Sequence, residues 1–346
     1  MIRLKPLDET NRDAFLDLLR EPWQQGGWDD TTRRIAEWRF FNRPDDGSVT
    51  WLAMDDDRCV AMLDSMLRPY LLGGKRIVVR ETADWYCEAS QRSRGVGLRL
   101  LMHMKQYPEP NFVLGGTAVN VDILSKMRGW ATLPSAAGFV LPLKVRGLVA
   151  NVVRRKWWSK EPWAKAVPSF LPAKRPRRIK PPSGATVRAL KAEDFVALPP
   201  PDTSDLTQLF EQKQWEWLLK MPRECAMPVA WEFSIDGIFV GFSLAQIEPT
   251  RSGLDGRIMF LQAIDPTMMG WVVSETTQRL ADHGVEIIRA CVSTSTKVAA
   301  MKEVGYLKAR DIPCNWWRRG TIEPSGVDIN YLSVDDSYPY WNFRTK

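Results

Sequence analysis

The chain has 346 residues, 45% of them hydrophobic and 26% charged, with a net charge of +7. Those values fit a soluble globular protein with room for two ordinary domains, and no apolar run is long enough to span a bilayer. Five cysteines without Cys-x-x-Cys spacing argue against a disulfide frame or a zinc site and for a reducing, cytoplasmic setting, while two histidines supply too little for histidine-based metal or Ser-His-Asp chemistry.

In chain order, Ile2-Arg3-Leu4 opens a strand and Asn11 to Arg20 a helix. The N-terminus, Met1-Ile2-Arg3-Leu4-Lys5, has no signal-peptide core. Thr31 caps a second helix running through Trp38-Arg39-Phe40 and ended by Pro44. Ser48 to Met54 and Cys59 to Leu67 form a hairpin turning at Asp55-Asp56-Asp57-Arg58. Gly73-Gly74 turns into a long strand, Arg76 to Cys87, followed by a glycine loop and a helix from Leu98 to Lys105. Phe112 to Gly116 is a short buried strand, Asn120 to Arg128 a helix closed by Gly129-Trp130, and Val140 to Val145 a last strand.

The order then repeats. Trp51 and Trp231 lie 180 residues apart, as do Val60-Ala61 and Val240-Gly241; Trp38 and Trp217 differ by 179, and Gly129-Trp130 and Gly305-Tyr306 by 176. The second hairpin turns at Asp236-Gly237. Landmarks at nearly one offset read as two copies of one α/β unit of roughly 150 residues. Boundaries fall at 1–147 for the first unit, 148–184 for a linker and 185–346 for the second. The linker holds Arg154-Arg155-Lys156-Trp157-Trp158 and Lys174-Arg175-Pro176-Arg177-Arg178, which read as a solvated connector or as a basic, aromatic surface for an anionic polymer or membrane face. Pro199-Pro200-Pro201 is a stiff loop inside the second unit.

The loop Gln91-Arg92-Ser93-Arg94-Gly95-Val96-Gly97 stands between a strand and a helix N-terminus. Unpaired backbone N–H groups and the helix dipole favour an anion there, and glycines let a phosphate approach. Arg92, Arg94 and Arg99 add charge-assisted donors, so the loop reads as a pyrophosphate cradle. A P-loop would need a following Gly-Lys-Ser/Thr, and the dinucleotide fingerprint a third glycine.

Arg92 to Gly97 fits Gln/Arg-x-x-Gly-x-Gly/Ala, which resembles the acyl-CoA loop of the GNAT superfamily of N-acetyltransferases. The order of elements is similar to that fold in both halves, giving two GNAT-like α/β units in tandem, each a mixed, largely antiparallel sheet flanked by helices. The motif occurs only in the first half. Its counterpart, Asp265-Pro266-Thr267-Met268-Met269-Gly270, has one glycine and no arginine, so one CoA site is expected.

The resemblance implies acetyl-CoA as cofactor and transfer of an acetyl group to a primary amine. It places Trp85, Tyr86 and Cys87 against the thioester arm through their backbone, and Arg92, Ser93, Arg94, Gly95, Val96, Gly97 and Arg99 around the pyrophosphate. Asn120 resembles an asparagine that contacts the CoA arm; it reads equally as a helix cap. Among the acids before the loop, Glu81 and then Asp84 are the candidate bases, and alternation puts Glu81 on one face with Ala83, Trp85 and Cys87. Glu88 stands closer to the loop as a cap, and all three could simply pair with arginines. The usual leaving-group tyrosine is replaced by Ser125, and Met301 stands in the second half. A sugar amine is one acceptor that tryptophans would suit, although Trp23, Trp28, Trp38 and Trp51 also read as core. Two other readings stay open: a Fem-like aminoacyl-transferase using aminoacyl-tRNA, for which the basic linker would serve, and a non-catalytic acyl-CoA-binding module.

Overall fold

The computed structural model describes residues 2–23, 30–44, 47–149, 168, 170–194, 206–250, 253–317 and 324–330. Trp28, Arg154 to Trp158 and Pro199 to Pro201 lie outside them, as does the side chain of Trp23. The N-terminal half runs β1 (Ile2–Pro6), α1 (Arg12–Trp23), α2 (Asp30–Ala36) with a π-helical turn (Glu37–Phe41), β2 (Val49–Asp55), β3 (Arg58–Leu72), β4 (Lys75–Cys87), α3 (Ala89–Arg92), α4 (Val96–His103), β5 (Asn111–Leu114), α5 (Ala118–Lys126) and β6 (Trp130–Pro142). The C-terminal half runs β7 (Ala185–Ala189), β8 (Leu206–Gln208), α6 (Gln212–Leu219), β9 (Met227–Ile235), β10 (Ile238–Thr250), β11 (Gly253–Ala263), α7 (Met269–Asp282), β12 (Ile287–Val292), α8 (Ser295–Val304), β13 (Leu307–Trp317) and β14 (Val327–Asp328). Among the described residues no helix is long and apolar enough to cross a membrane.

Both halves share one sheet, ordered β1-β2-β3-β4-β5-β13-β6-β12-β11-β10-β9-β7. Each half lends the other its last long strand, β6 or β13. β13 pairs antiparallel with β5, from Cys314↔Leu114 to Trp317↔Asn111. β6 pairs antiparallel with β12, from Ile287↔Pro142 to Val292↔Ala137. The two lent strands pair with each other. β6 therefore starts earlier than the strand expected over 140–145, because β13 pairs with it from Trp130 to Val140 and β12 covers its other edge from Ala137 to Pro142.

The junction has an approximate twofold character. Trp38 and Trp217 stack with ring centroids 4.4 Å apart and planes 8° from parallel. Trp38 Nε1 donates to the Trp217 carbonyl at 2.9 Å, and Trp217 Nε1 to the Trp38 carbonyl at 3.3 Å. Of the pairs whose spacing marked the repeat, this one meets where the copies face each other. Phe112, Tyr70, Trp215, Trp316 and Phe242 extend this core across both halves. The basic run Lys174 to Arg178 lies along the C-terminal half: Lys174 Nζ donates to the Gly305 carbonyl at 2.7 Å and Arg178 Nε to Gln278 at 3.0 Å.

Candidate functional site

β4 and β5 run parallel and pair only at Arg80↔Asn111 and Glu81↔Phe112. Beyond that point they part. On the β5 side, residues 82–87 of β4 have no strand partner among the described residues, so their backbone groups line a wedge. α4 begins at its mouth. Gly95 holds φ 69°, the left-handed region that glycine enters without strain, and no side chain caps the helix. The first-turn N–H groups are thus left for an anion.

Gly97 is required by contact rather than by dihedral. A Cβ there would lie 3.0 Å from Trp85 Nε1 and 3.7 Å from the Cys87 Cβ. The Trp85 indole donates to the Gly97 carbonyl at 3.1 Å and so seats the loop on β4. Arg92, Ser93, Arg94 and Arg99 are exposed around it, and Val96 is buried below. Arg92 Nε donates to the Cys87 carbonyl at 3.0 Å, and Arg94 Nη1 to Gln91 at 2.8 Å. This cradle fits a pyrophosphate: open backbone donors, a glycine approach and flanking guanidinium groups.

The opposite face of β4 carries the candidate acids, and here one expectation is corrected. Met62 pairs with Tyr86 and Asp64 with Ala83, so β4 holds an extra residue between them, and Asp84 takes φ 47°. This bulge inverts the alternation. Glu81 shares its face with Ala83 and Tyr86, not with Trp85 and Cys87, which pack under α4. Glu81 is 3% exposed. The Tyr70 hydroxyl donates to it, the Gln208 amide approaches at 3.5 Å, and Arg68 Nε lies 3.7 Å away. Asp84 pairs with Arg39 at 3.4 Å. Arg39 also meets Asp64 at 2.8 Å, and Arg43 meets Asp64 at 2.6 Å. Burial alone would raise the Asp64 carboxyl, but Arg43, Arg39 and the Thr50 hydroxyl outweigh it and hold it below the usual carboxylate range.

The remaining candidates separate. Glu88 pairs with Arg58 and does not cap the following turn with its side chain. Thr117, not Asn120, caps α5: its hydroxyl accepts from the Asn120 N–H at 3.2 Å. Ser125 is exposed and its hydroxyl donates to the Asp122 carbonyl at 2.9 Å. Arg39, Asp64, Arg68 and Gln208 were not singled out in the sequence. Their signal was present as charged residues inside apolar runs, such as Asp64 and Arg68 within Val60 to Tyr70.

The C-terminal half has a similar wedge, closed by its own chain. β11 and β12 pair from Asp255↔Ile287 to Ile258↔Ala290 and then part. Ile329 and Asn330, following β14, reach this gap: Asn330 bridges Val292, its side-chain oxygen accepts from the Leu261 N–H at 3.1 Å, and Lys297 Nζ meets Asp328 at 2.6 Å. At the helix start, the Asp265 carboxylate accepts from the Thr267 N–H at 2.8 Å. A carboxylate at that start disfavours an anion.

No protein-family model matches the sequence, and no curated protein sequence is similar to it. Solved structures are similar in fold. N-myristoyltransferase of Saccharomyces cerevisiae, with bound myristoyl-CoA, gives a TM-score of 0.57 at 11% identity over 96% of this chain and 89% of its own. A GCN5-related N-acetyltransferase from Anabaena variabilis gives 0.56 at 9% over 91% and 72%. A tandem GNAT protein from the clavulanic acid biosynthesis pathway gives 0.53 at 12% over 93% and 100%. The chain has the GNAT fold twice over, its two units joined by exchanged strands.

Proposed function

We propose that the protein is an acyl-CoA-dependent N-acyltransferase, acting on a primary amine at a single site in its N-terminal half. The observation that carries this is the wedge beside the glycine cradle: β4 and β5 joined by two residue pairs, then open where α4 begins. The similarity to an N-myristoyltransferase with bound myristoyl-CoA and to a GCN5-related N-acetyltransferase supports the same class. Boundaries near 147 and 185 separate the two units, with the lent strands crossing between them.

The bound acyl-CoA supplies an activated acyl group as a thioester; the acyl carbon gains a bond to the amine nitrogen as its bond to sulfur breaks, acetyl being the group implied by the sequence. The chain holds the pyrophosphate through the 95–98 backbone with Arg92, Arg94 and Arg99. Backbone groups of residues 84–87 at the bulge polarise the carbonyl. Glu81 stands where the strands part and takes up the proton the amine must lose; Tyr70 and Arg68 position it, and Asp84 is the second candidate. Asn120 faces the arm from the start of α5. Ser125, bonded into its own helix, leaves protonation of the departing thiolate to solvent.

Glu81→Gln tests this: kcat should fall by roughly 100-fold or more with acyl-CoA affinity unchanged. Acyl-CoA binding without turnover of any amine by the wild type would instead support a non-catalytic binding module.

A further inference from the structure

The basic run Lys174 to Arg178 has no part in the acyl-CoA reading, yet its path over the molecule is fixed. Lys144 bridges Pro172, and the Ala173 N–H donates to the Leu143 carbonyl at 3.0 Å. Further on, the Arg177 N–H donates to the Val304 carbonyl and the Ile179 N–H to the Ser274 hydroxyl, both at 2.9 Å. Ile179 packs on the C-terminal core. Residues 170–180 therefore run as a band from the end of β6, past the end of α8, to α7.

The charges on this band are not used by the fold, with one exception. Lys174 Nζ holds the Gly305 carbonyl at the end of α8, where the helix dipole favours a cation. Arg175, Arg177, Arg178 and Lys180 are exposed, and none pairs with a carboxylate among the described residues; Arg178 Nε donates to the neutral Gln278. Acids on the neighbouring elements are engaged elsewhere: Glu286 with Arg146, Glu275 with Arg279, and Asp282 with the Gln278 amide. Exposed Glu303 follows exposed Lys302, so the two offset each other.

Large apolar side chains stand at the start of the same band. Phe170 is 79% exposed, and Leu171 is exposed beside it. Leu148, also exposed, comes three residues after Val145, whose N–H donates to the Leu171 carbonyl at 2.9 Å. Apolar groups left in water and cations left without counter-charges have one partner in common. The face of an anionic bilayer offers phosphates to guanidinium groups and an acyl boundary to Phe and Leu. A nucleic acid offers the phosphates, but aliphatic leucines do not stack on its bases as aromatic rings do.

We propose that residues 170–180, with Leu148, bind the surface of an anionic phospholipid membrane. Arg175, Arg177, Arg178 and Lys180 meet the lipid phosphates, and Phe170 enters the boundary between headgroups and acyl chains. The attachment is peripheral and independent of the acyl-CoA site.

Co-sedimentation of the full chain with vesicles tests this. The protein should pellet with vesicles of mixed phosphatidylglycerol and phosphatidylcholine and stay in solution with phosphatidylcholine alone. Raising salt from about 0.1 M to about 1 M, which shortens the screening length from about 10 Å to about 3 Å, should release most of it. The triple variant Arg175→Glu, Arg177→Glu, Lys180→Glu should bind anionic vesicles about 100-fold more weakly. Phe170→Ser should lose about tenfold and keep the wild-type dependence on salt. All of these side chains are exposed, so both variants should keep the wild-type melting temperature and acyl-CoA affinity. No pelleting with anionic vesicles, or undiminished pelleting of the folded triple variant, overturns the proposal. Tighter binding to transfer RNA than to anionic vesicles at the same salt also overturns it and assigns the band to a nucleic acid.

Discussion

The two halves of this chain have the same topology and opposite fates at one end of it. In the N-terminal half the parallel strands part after two pairs, a glycine starts the next helix, and arginines surround that start. In the C-terminal half Asn330 spans the corresponding gap, and the Asp265 carboxylate caps the turn that opens the next helix. Backbone donors that stay open beside α4 are, in the other copy, partly satisfied by the chain itself. The difference lies in a few loop residues and one short segment, not in the fold.

The strongest way to break this comparison is at the junction, where the halves are alike. Trp38→Ala and Trp217→Ala should each cost about 3–5 kcal/mol in urea unfolding. Because the indoles stack and exchange hydrogen bonds, the double variant should cost clearly less than the sum. Additive costs would mean that the contact is not shared.

Next comes the loop. Arg92→Glu with Arg94→Glu, both exposed, should lower acyl-CoA affinity by about 100-fold, roughly 2.7 kcal/mol, without changing the melting temperature. Asp265→Ala should leave the stoichiometry at one per chain while lowering stability slightly through the lost cap. A second binding event in that variant would show that the carboxylate alone closes the C-terminal site.

Two buried carboxylates sharpen the contrast further through pH. Asp64 is held below its usual range, so its contribution is complete above an unfolded value near 4 and is lost as pH falls through the lower folded value. Glu248, in the C-terminal half, is raised by burial despite Arg257 at 2.8 Å. Its contribution is complete below about 4 and is lost as pH rises through the raised folded value. Asp64→Asn should therefore flatten the acid side of the stability profile, and Glu248→Gln the side above it, as read by denaturation from pH 3 to 7.

The smallest effect is in thiol labelling. Burial pushes Cys59 and Cys225 up to about 12, whereas Cys87 is half-buried beside the loop. Cys87 should alkylate first, and acyl-CoA should slow it a few-fold. Labelling of Cys225 at a similar rate would mean that the C-terminal half opens as readily as the N-terminal one.

Much of this was legible in the residues. The offsets of Trp38, Trp51 and Val60 in the two copies expose the repeat, and Arg92 to Gly97 marks the cradle, because turn glycines and arginine donors act locally. The face of Glu81 was not legible. Counting by twos assumes an unbroken pleat, and the bulge at Asp84 shows only when β3 and β4 are in register. The exchange of β6 and β13 was hidden for a related reason: a strand's pattern records burial on its faces and says nothing of which neighbour supplies its hydrogen bonds. The segment closing the second wedge carries no pattern of its own, since Asn330 and Asp328 act through contacts with residues distant in the chain, Leu261, Val292 and Lys297.

The lent strand β13 also sets a timetable for synthesis. β5 leaves the ribosome with one edge bare, and the strand that covers it, at Asn111↔Trp317, emerges roughly 200 residues later. Such a distant pairing is slow to close, and an uncovered edge invites wrong partners meanwhile. The first half is thus translated as an unfinished object, dependent on the chain's final third before it can become a receptor for anything.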